Sequence, residues 1–198
     1  MNRRDFVKCA ALSTIGMILN PFDTAIASAS VLETAEPMIY KRLLQFSEYE
    51  KRPSTEVIVI HHTEPPNKDL DTTAQTVHRW HKEHNGWAGI GYHYLIRKNG
   101  MIERGRLPDM VGAHVLHHNL NSVGISLAGN FNPGIGKPTD AQMHSVKELT
   151  AWLCRKYDID PYKKGTIVGH RDLRSTTCPG DNLYCRLDDI RSFARKNA

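Results

Sequence analysis

The sequence predicts a single α/β domain built on a central mixed β-sheet flanked by α-helices. Three observations lead there. Short β-branched runs alternate with segments of helical period, which is the pattern of a sheet covered by helices. One pair of candidate strands is joined through an Asn-Gly turn, which adds an antiparallel hairpin to the otherwise crossover-connected strands. The chain has 198 residues, 40% of them hydrophobic and 24% charged, enough for one domain with a sizeable core and little room for a second.

The chain opens with MNRRDFVKCAALSTIGMILNPFDTAIASAS. A basic start (Arg3, Arg4, Lys8) precedes an apolar run from Cys9 to Leu19, and small-residue cleavage sites follow at Ala25–Ala27 and Ala27–Ala29. This is the layout of a cleaved secretory signal, with an apolar run too short for a stable membrane anchor. The hexapeptide RRDFVK resembles the twin-arginine export motif. The expected organisation is an export signal over residues 1–29, a lead-in over 30–55 and the folded domain over 56–198, with the mature protein in the periplasm or cell envelope.

Within the domain, EVIVIHH (Glu56 to His62) reads as a buried strand ending in two histidines. In TTAQTVHRWHKEH, Ala74, Val77 and Trp80 fall three apart on an amphipathic helix that stops near Asn85-Gly86. GYHYLIRKNGMIERG is strand, turn, strand, and SVGISLAGNF holds another buried strand. TDAQMHSVKELTAWLCRKY begins with a capping box, Thr139 with Gln142, and carries Met143, Val146, Leu149 and Leu153 as one apolar stripe. TIVGH is a last short strand. DNLYCRLDDIRSFARK reads as one C-terminal helix with Leu183, Leu187, Ile190 and Phe193 inward.

The net charge of +5 mildly favours an acidic partner. No Lys/Arg stripe with interleaved aromatics is present, so a nucleic-acid-binding domain is set aside. Removing Cys9 with the signal leaves Cys154, Cys178 and Cys185, an odd number, so at least one thiol is unpaired or metal-bound. Cys154 reads as a core residue, although a Cys154–Cys185 disulfide is compatible with an oxidising compartment. Of eleven histidines, His61 and His170 end buried strands, where ligands gather in α/β sheets. Cys178 lies on the Pro/Gly-rich loop after His170. Two imidazoles and a thiolate leave one tetrahedral position open, a donor set that suits catalytic zinc. His62 points to the opposite strand face from His61. His78, His84, His117, His118 and His144 read as surface residues, His93 as structural, and Trp80 and Trp87 as core or groove wall.

Four segments in order, VIVIHHTE, VHRWHKEHNGWAGIGYHYLI, VGAHVLHHNLNSVGISLAGNF and VGHRDLRSTTCPGDNLY, resemble the zinc N-acetylmuramoyl-L-alanine amidase superfamily, which includes phage lysozyme-like amidases and animal peptidoglycan recognition proteins. The resemblance spans about Glu56 to Tyr184 and implies the same mixed-sheet fold. It implies one zinc ion held by His61, His170 and Cys178, with Tyr92 of GYH as a catalytic residue and His114 of GAH bordering the substrate. Thr176 stands where phage enzymes carry a catalytic lysine, as in the catalytic recognition proteins. The implied substrate is peptidoglycan or its muropeptides, cut between N-acetylmuramic acid and L-alanine. The rival expectation is a recognition module that binds without cutting. Such modules replace the third ligand, whereas this chain keeps Cys178 and Tyr92.

Overall fold

The computed structural model describes residues 35–65 and 70–198. The expected export signal lies outside the described residues. Six strands, β1 (Ile39–Lys41), β2 (Val57–His62), β3 (Tyr94–Ile96), β4 (Ile102–Arg104), β5 (Ser122–Leu127) and β6 (Ile167–Gly169), form one sheet in the order β1-β4-β3-β5-β2-β6. Only the β3–β4 hairpin is antiparallel; the other four pairings are parallel, giving the expected mixed sheet. Among the described residues the α-helices are α1 (Ala74–Glu83), α2 (Asp140–Tyr157), the single turn α3 (Asp181–Tyr184) and α4 (Leu187–Asn197), and a 3-10 turn spans His170–Asp172.

Side-chain alternation sorts the sheet into two faces. Ile58 and Ile60 of β2 join Val146, Leu149 and Leu153 of α2 and Leu187 and Ile190 of α4 in the main core. Val59, one residue out of phase, packs instead with Val115 and Val168. α1 buries Ala74 and Val77 against Ile90, Leu95 and Ala128. His61, two residues beyond Val59, lies on the same face, and the candidate site is built there.

The predicted capping box starts α2: the Thr139 hydroxyl accepts from the Gln142 amide at 3.0 Å, and Gln142 Oε1 accepts from the Thr139 amide at 3.1 Å. The structure adds a second task for the same side chain. Gln142 Nε2 donates to the carbonyls of Ile96 (3.2 Å) and Ala128 (2.9 Å), so one buried amide joins the helix start to the ends of β3 and β5.

Three expectations need correction. The C-terminal segment is two helices, broken at Cys185–Arg186, where Arg186 adopts φ −96° and ψ 1°. The break lets α3 hold the loop that carries Cys178 while α4 packs on α2. His78 is buried: its Nε2 lies 3.0 Å from the Gln45 carbonyl, its Nδ1 accepts from the Ile90 amide, and Phe46 meets its ring edge-on. The covering chain belongs to the lead-in, which is more than a lead-in. It supplies β1, and Arg42 donates to the fully buried Glu103, which also accepts from the Ala74 amide at 2.7 Å. Cys154 is the core residue expected, and the pairing with Cys185 that the sequence left open is not made: both are free thiols, the second exposed.

Gln142→Ala is expected to lower unfolding stability by about 2–3 kcal/mol in urea titration, because two carbonyls lose a donor and the helix loses half its capping box. A loss below about 0.5 kcal/mol would mean that these bonds are replaced by water at no cost.

Candidate metal centre and adjoining groove

The register of β2 against β6 brings the two histidines together. Ile60 pairs with Gly169 in parallel, so the residues that follow, His61 and His170, emerge side by side at the carboxyl ends of adjacent strands. Their rings lie 4.6 Å apart, centre to centre. His61 is buried, as is Val59 two residues earlier, and His62 turns the other way. There the His62 Nδ1 accepts from the Phe131 amide at 3.2 Å and its Nε2 lies 3.5 Å from Glu64, so its side chain serves the fold and not the cluster.

Cys178 is brought back to the histidines by its own loop. The Arg171 amide donates to the Cys178 carbonyl at 3.0 Å. The Arg171 guanidinium bonds the Thr177 carbonyl and the Asp181 carboxylate and lies over the Tyr184 ring. Asp172 accepts from the Gly169 amide (2.8 Å) and from the Tyr184 hydroxyl (2.5 Å). Gly180 is required here: its φ is +82°, and a Cβ would meet the Phe131 carbonyl carbon at 2.3 Å. The Cys178 sulfur accepts from the His62 amide at 3.5 Å and lies 3.6 Å from His61 Nδ1. One ligand atom from each of His61, His170 and Cys178 falls within 4.8 Å of the others, close enough for a single metal ion.

Burial sets the protonation of this cluster. It holds His61 well below the usual imidazole range, with the neighbouring His114 and His170 adding to the effect, and it lowers His170. Both rings are therefore neutral at pH 7, the form that ligates. Burial pushes the Cys178 thiol up to about 12, so in the metal-free chain it keeps its proton, which a bound cation would displace to solvent. Burial also raises Tyr92, with Cys178 second, which keeps its hydroxyl protonated. The Tyr92 ring sits 5.1 Å from that of His61. Tyr92 and His93 precede β3 instead of lying within it. His93 is fully buried and accepts from the Gly124 amide at 3.0 Å, the structural role expected of it.

A groove of about 450 Å³ opens beside the cluster, lined among others by Trp87, His114, Leu116, Asn119, Arg174 and Thr176, with His170 at its edge. Trp87 and Leu116 are 40% and 57% exposed, which gives the groove apolar walls facing solvent. Thr176 is exposed on its rim, and its hydroxyl oxygen accepts from the Cys178 amide at 3.2 Å. His114 touches the groove but is buried, and its Nδ1 lies 3.1 Å from His61 Nε2. Sequence reasoning missed Arg171, Asp172 and Tyr184 as supports of the cysteine loop. The signal available was their spacing around Cys178, which becomes meaningful only when the loop folds back.

Comparison with known proteins gives a consistent set of relatives. The family model described as N-acetylmuramoyl-L-alanine amidase matches residues 50–181. An endolysin of Klebsiella phage KP32 is 33% identical over 140 residues, covering 69% of this chain and 87% of the phage protein. Peptidoglycan-recognition protein SC2 of Drosophila melanogaster is 31% identical over 193 residues, covering 88% of this chain and 98% of the fly protein. Among solved structures, the endolysin N-acetylmuramoyl-L-alanine amidase LysCS from Clostridium intestinale URNW superposes with a TM-score of 0.69 at 34% identity, covering 80% of this chain and 96% of that one.

Proposed function

The chain belongs to the N-acetylmuramoyl-L-alanine amidase family, and we propose that it uses one zinc ion, held by His61, His170 and Cys178, to cut peptidoglycan between N-acetylmuramic acid and L-alanine. The observation that carries this reading is the convergence of three ligand atoms within 4.8 Å beside an open groove. The donor set fits zinc. Two neutral imidazoles and a thiol are soft enough to exclude magnesium and calcium. The 3.6 Å between Cys178 Sγ and His61 Nδ1 is what sulfur and nitrogen donors sharing one tetrahedral ion require at bond lengths of about 2.3 and 2.0–2.1 Å. Three protein ligands would leave a tetrahedral ion one position for water or substrate.

An amide is a poor electrophile and water a poor nucleophile; bound zinc supplies the Lewis acidity that improves both. The chain's own residues do the rest. Trp87 and Leu116 offer apolar surface to the substrate's glycan and stem. The protonated Tyr92 hydroxyl donates to the oxyanion that forms when the carbonyl is attacked, a contribution of about 3–4 kcal/mol for one such donor. Thr176 turns its oxygen toward the Cys178 amide and keeps its own hydrogen for one bond into the groove. A threonine hydroxyl is too weak an acid to supply a proton of its own to the leaving amine, so the proton that the amine gains is the one the attacking water gives up, relayed across the groove by solvent. His114 borders the groove from beneath. A purely binding recognition module is the second reading, since one relative bears the name of a peptidoglycan-recognition protein. The presence of a thiol at the third ligand position and of Tyr92 beside His61 favours catalysis. Export through the twin-arginine route, with the signal over residues 1–29 removed, completes the proposal. It is motivated by RRDFVK and would place the enzyme in the periplasm or envelope with its substrate. No helix among the described residues is long and apolar enough to cross a membrane.

The direct test is mass spectrometry of purified peptidoglycan after digestion. Free stem peptides beginning at L-alanine, with the glycan intact, are expected, and Cys178→Ser is expected to abolish them while dropping zinc well below one per chain after dialysis. Release of glycan fragments that keep their peptides, or full zinc and activity in the serine variant, would refute the assignment. Tyr92→Phe is expected to keep its zinc and its KM while kcat falls about 10²–10³-fold, the usual loss for one oxyanion donor; an unchanged kcat would reduce Tyr92 to packing. Replacing Arg3 and Arg4 together by Lys is expected to leave uncleaved precursor in the cytoplasm, read by fractionation and immunoblot, and normal export of that variant would exclude the twin-arginine route.

A further inference from the structure

His114 was expected from its motif to contact substrate, yet its ring nitrogens are both engaged within the protein. Nδ1 lies 3.1 Å from His61 Nε2, and Nε2 lies 3.4 Å from the Ser122 hydroxyl. The Ser122 hydroxyl in turn donates to the His118 carbonyl at 2.6 Å. A carbonyl can only accept, so the single hydroxyl hydrogen of Ser122 is committed to it. The oxygen of Ser122 therefore accepts from His114 Nε2–H. A neutral His114 with its hydrogen on Nε2 has a bare Nδ1, which accepts from His61 Nε2–H. His61 is then left with a bare Nδ1, and that is the atom 3.6 Å from Cys178 Sγ. One backbone carbonyl thus dictates the tautomer of a candidate ligand three hydrogen bonds away.

The surrounding packing holds this chain of bonds in place. The His114 ring occupies a slot between two glycines: a Cβ on Gly112 would lie 2.4 Å from His114 Cδ2, and one on Gly124 would lie 2.7 Å from its Cγ. The backbone that carries the ring is fixed as well. Asn119 Oδ1 accepts from the amides of His114 and Val115, each at 2.9 Å. The ring of His114 stands edge-on to that of His61, with centres 5.1 Å apart.

We propose that His114 is a positioning residue that holds His61 with Nδ1 unprotonated and aimed at the metal, through the relay His61–His114–Ser122–His118 carbonyl. The inference rests on the zinc reading above for its consequence, but the tautomer can be measured without zinc. A metal-bound histidine whose other nitrogen donates to a fixed acceptor keeps both its ring orientation and its basicity, and losing such a partner costs about 10–100-fold in metal affinity.

The test combines two readouts on the wild type and three variants. In the metal-free chain, long-range proton–nitrogen NMR of the imidazoles is expected to find His61 as a single tautomer with its hydrogen on Nε2. Zinc affinity, by competition with a chelator, is expected to weaken about 10–100-fold in His114→Ala and to recover in His114→Asn, whose amide oxygen takes the place of Nδ1. Ser122→Ala, which removes the acceptor but leaves the ring in its slot, is expected to mix the His61 tautomers. It also decides the matter should His114→Ala fail to fold. Wild-type zinc affinity in His114→Ala with only a raised KM would overturn the proposal and return His114 to substrate contact. A hydrogen on His61 Nδ1 in the wild type, or an undisturbed tautomer in Ser122→Ala, would overturn it too. A wild type that shows the Nε2–H tautomer but binds no zinc would instead count against the zinc reading while leaving the relay intact.

Discussion

The parallel pairing of β2 with β6 is the interaction on which the rest of the site depends. Ile60 opposite Gly169 places His61 and His170 next to each other where the two strands end. A slip of one residue would turn His61 to the helical core and offer His62 to the groove, because side chains alternate strictly along a strand. The register is held from both faces. Ile58 and Ile60 are locked into the main core, and Val59 and Val168 pack with Val115 on the other side. The hydrophobic burial that stabilises the sheet is therefore also what fixes the spacing of the two imidazoles.

The third candidate ligand comes from a loop, and loops need their own restraints. Here they are polar: Arg171 reaches across to Thr177 and Asp181, while Asp172 is bound by the Gly169 amide and the Tyr184 hydroxyl. These contacts surround Cys178 without touching its sulfur, whose own neighbours are His61 and the His62 amide. Among the described residues Cys178 forms no disulfide, and neither do the other two cysteines. Cys154 is sealed in the core by α2, and Cys185 faces solvent beyond the α3 turn. Burial makes the thiol reluctant to ionise and leaves a cation as its natural partner.

Much of this was legible in the sequence, and the parts that were not share a cause. His61 and His170 could be singled out because each follows a β-branched run, and strand ends are a local property. The start of α2 was legible for the same reason, since the Thr139–Gln142 box lies within one turn. What the sequence hid were contacts between distant segments. β1 is only three residues long and pairs with a strand some sixty positions away. His78 looked exposed on its helix because nothing local reveals that Gln45 and Phe46 cover it. The C-terminal helix looked continuous because its apolar spacing runs through the break at Arg186. His114 carried a recognisable motif, but the direction of its hydrogen bonds depends on Ser122 and His118 folding back beneath it.

The account stands on one claim, that two histidines and one cysteine converge on a single zinc ion. X-ray absorption at the zinc edge of the chain as purified tests it most directly. The account predicts a four-coordinate site with one sulfur, two imidazole nitrogens and one further light atom. A shell with no sulfur, or one built from more than one, would contradict it.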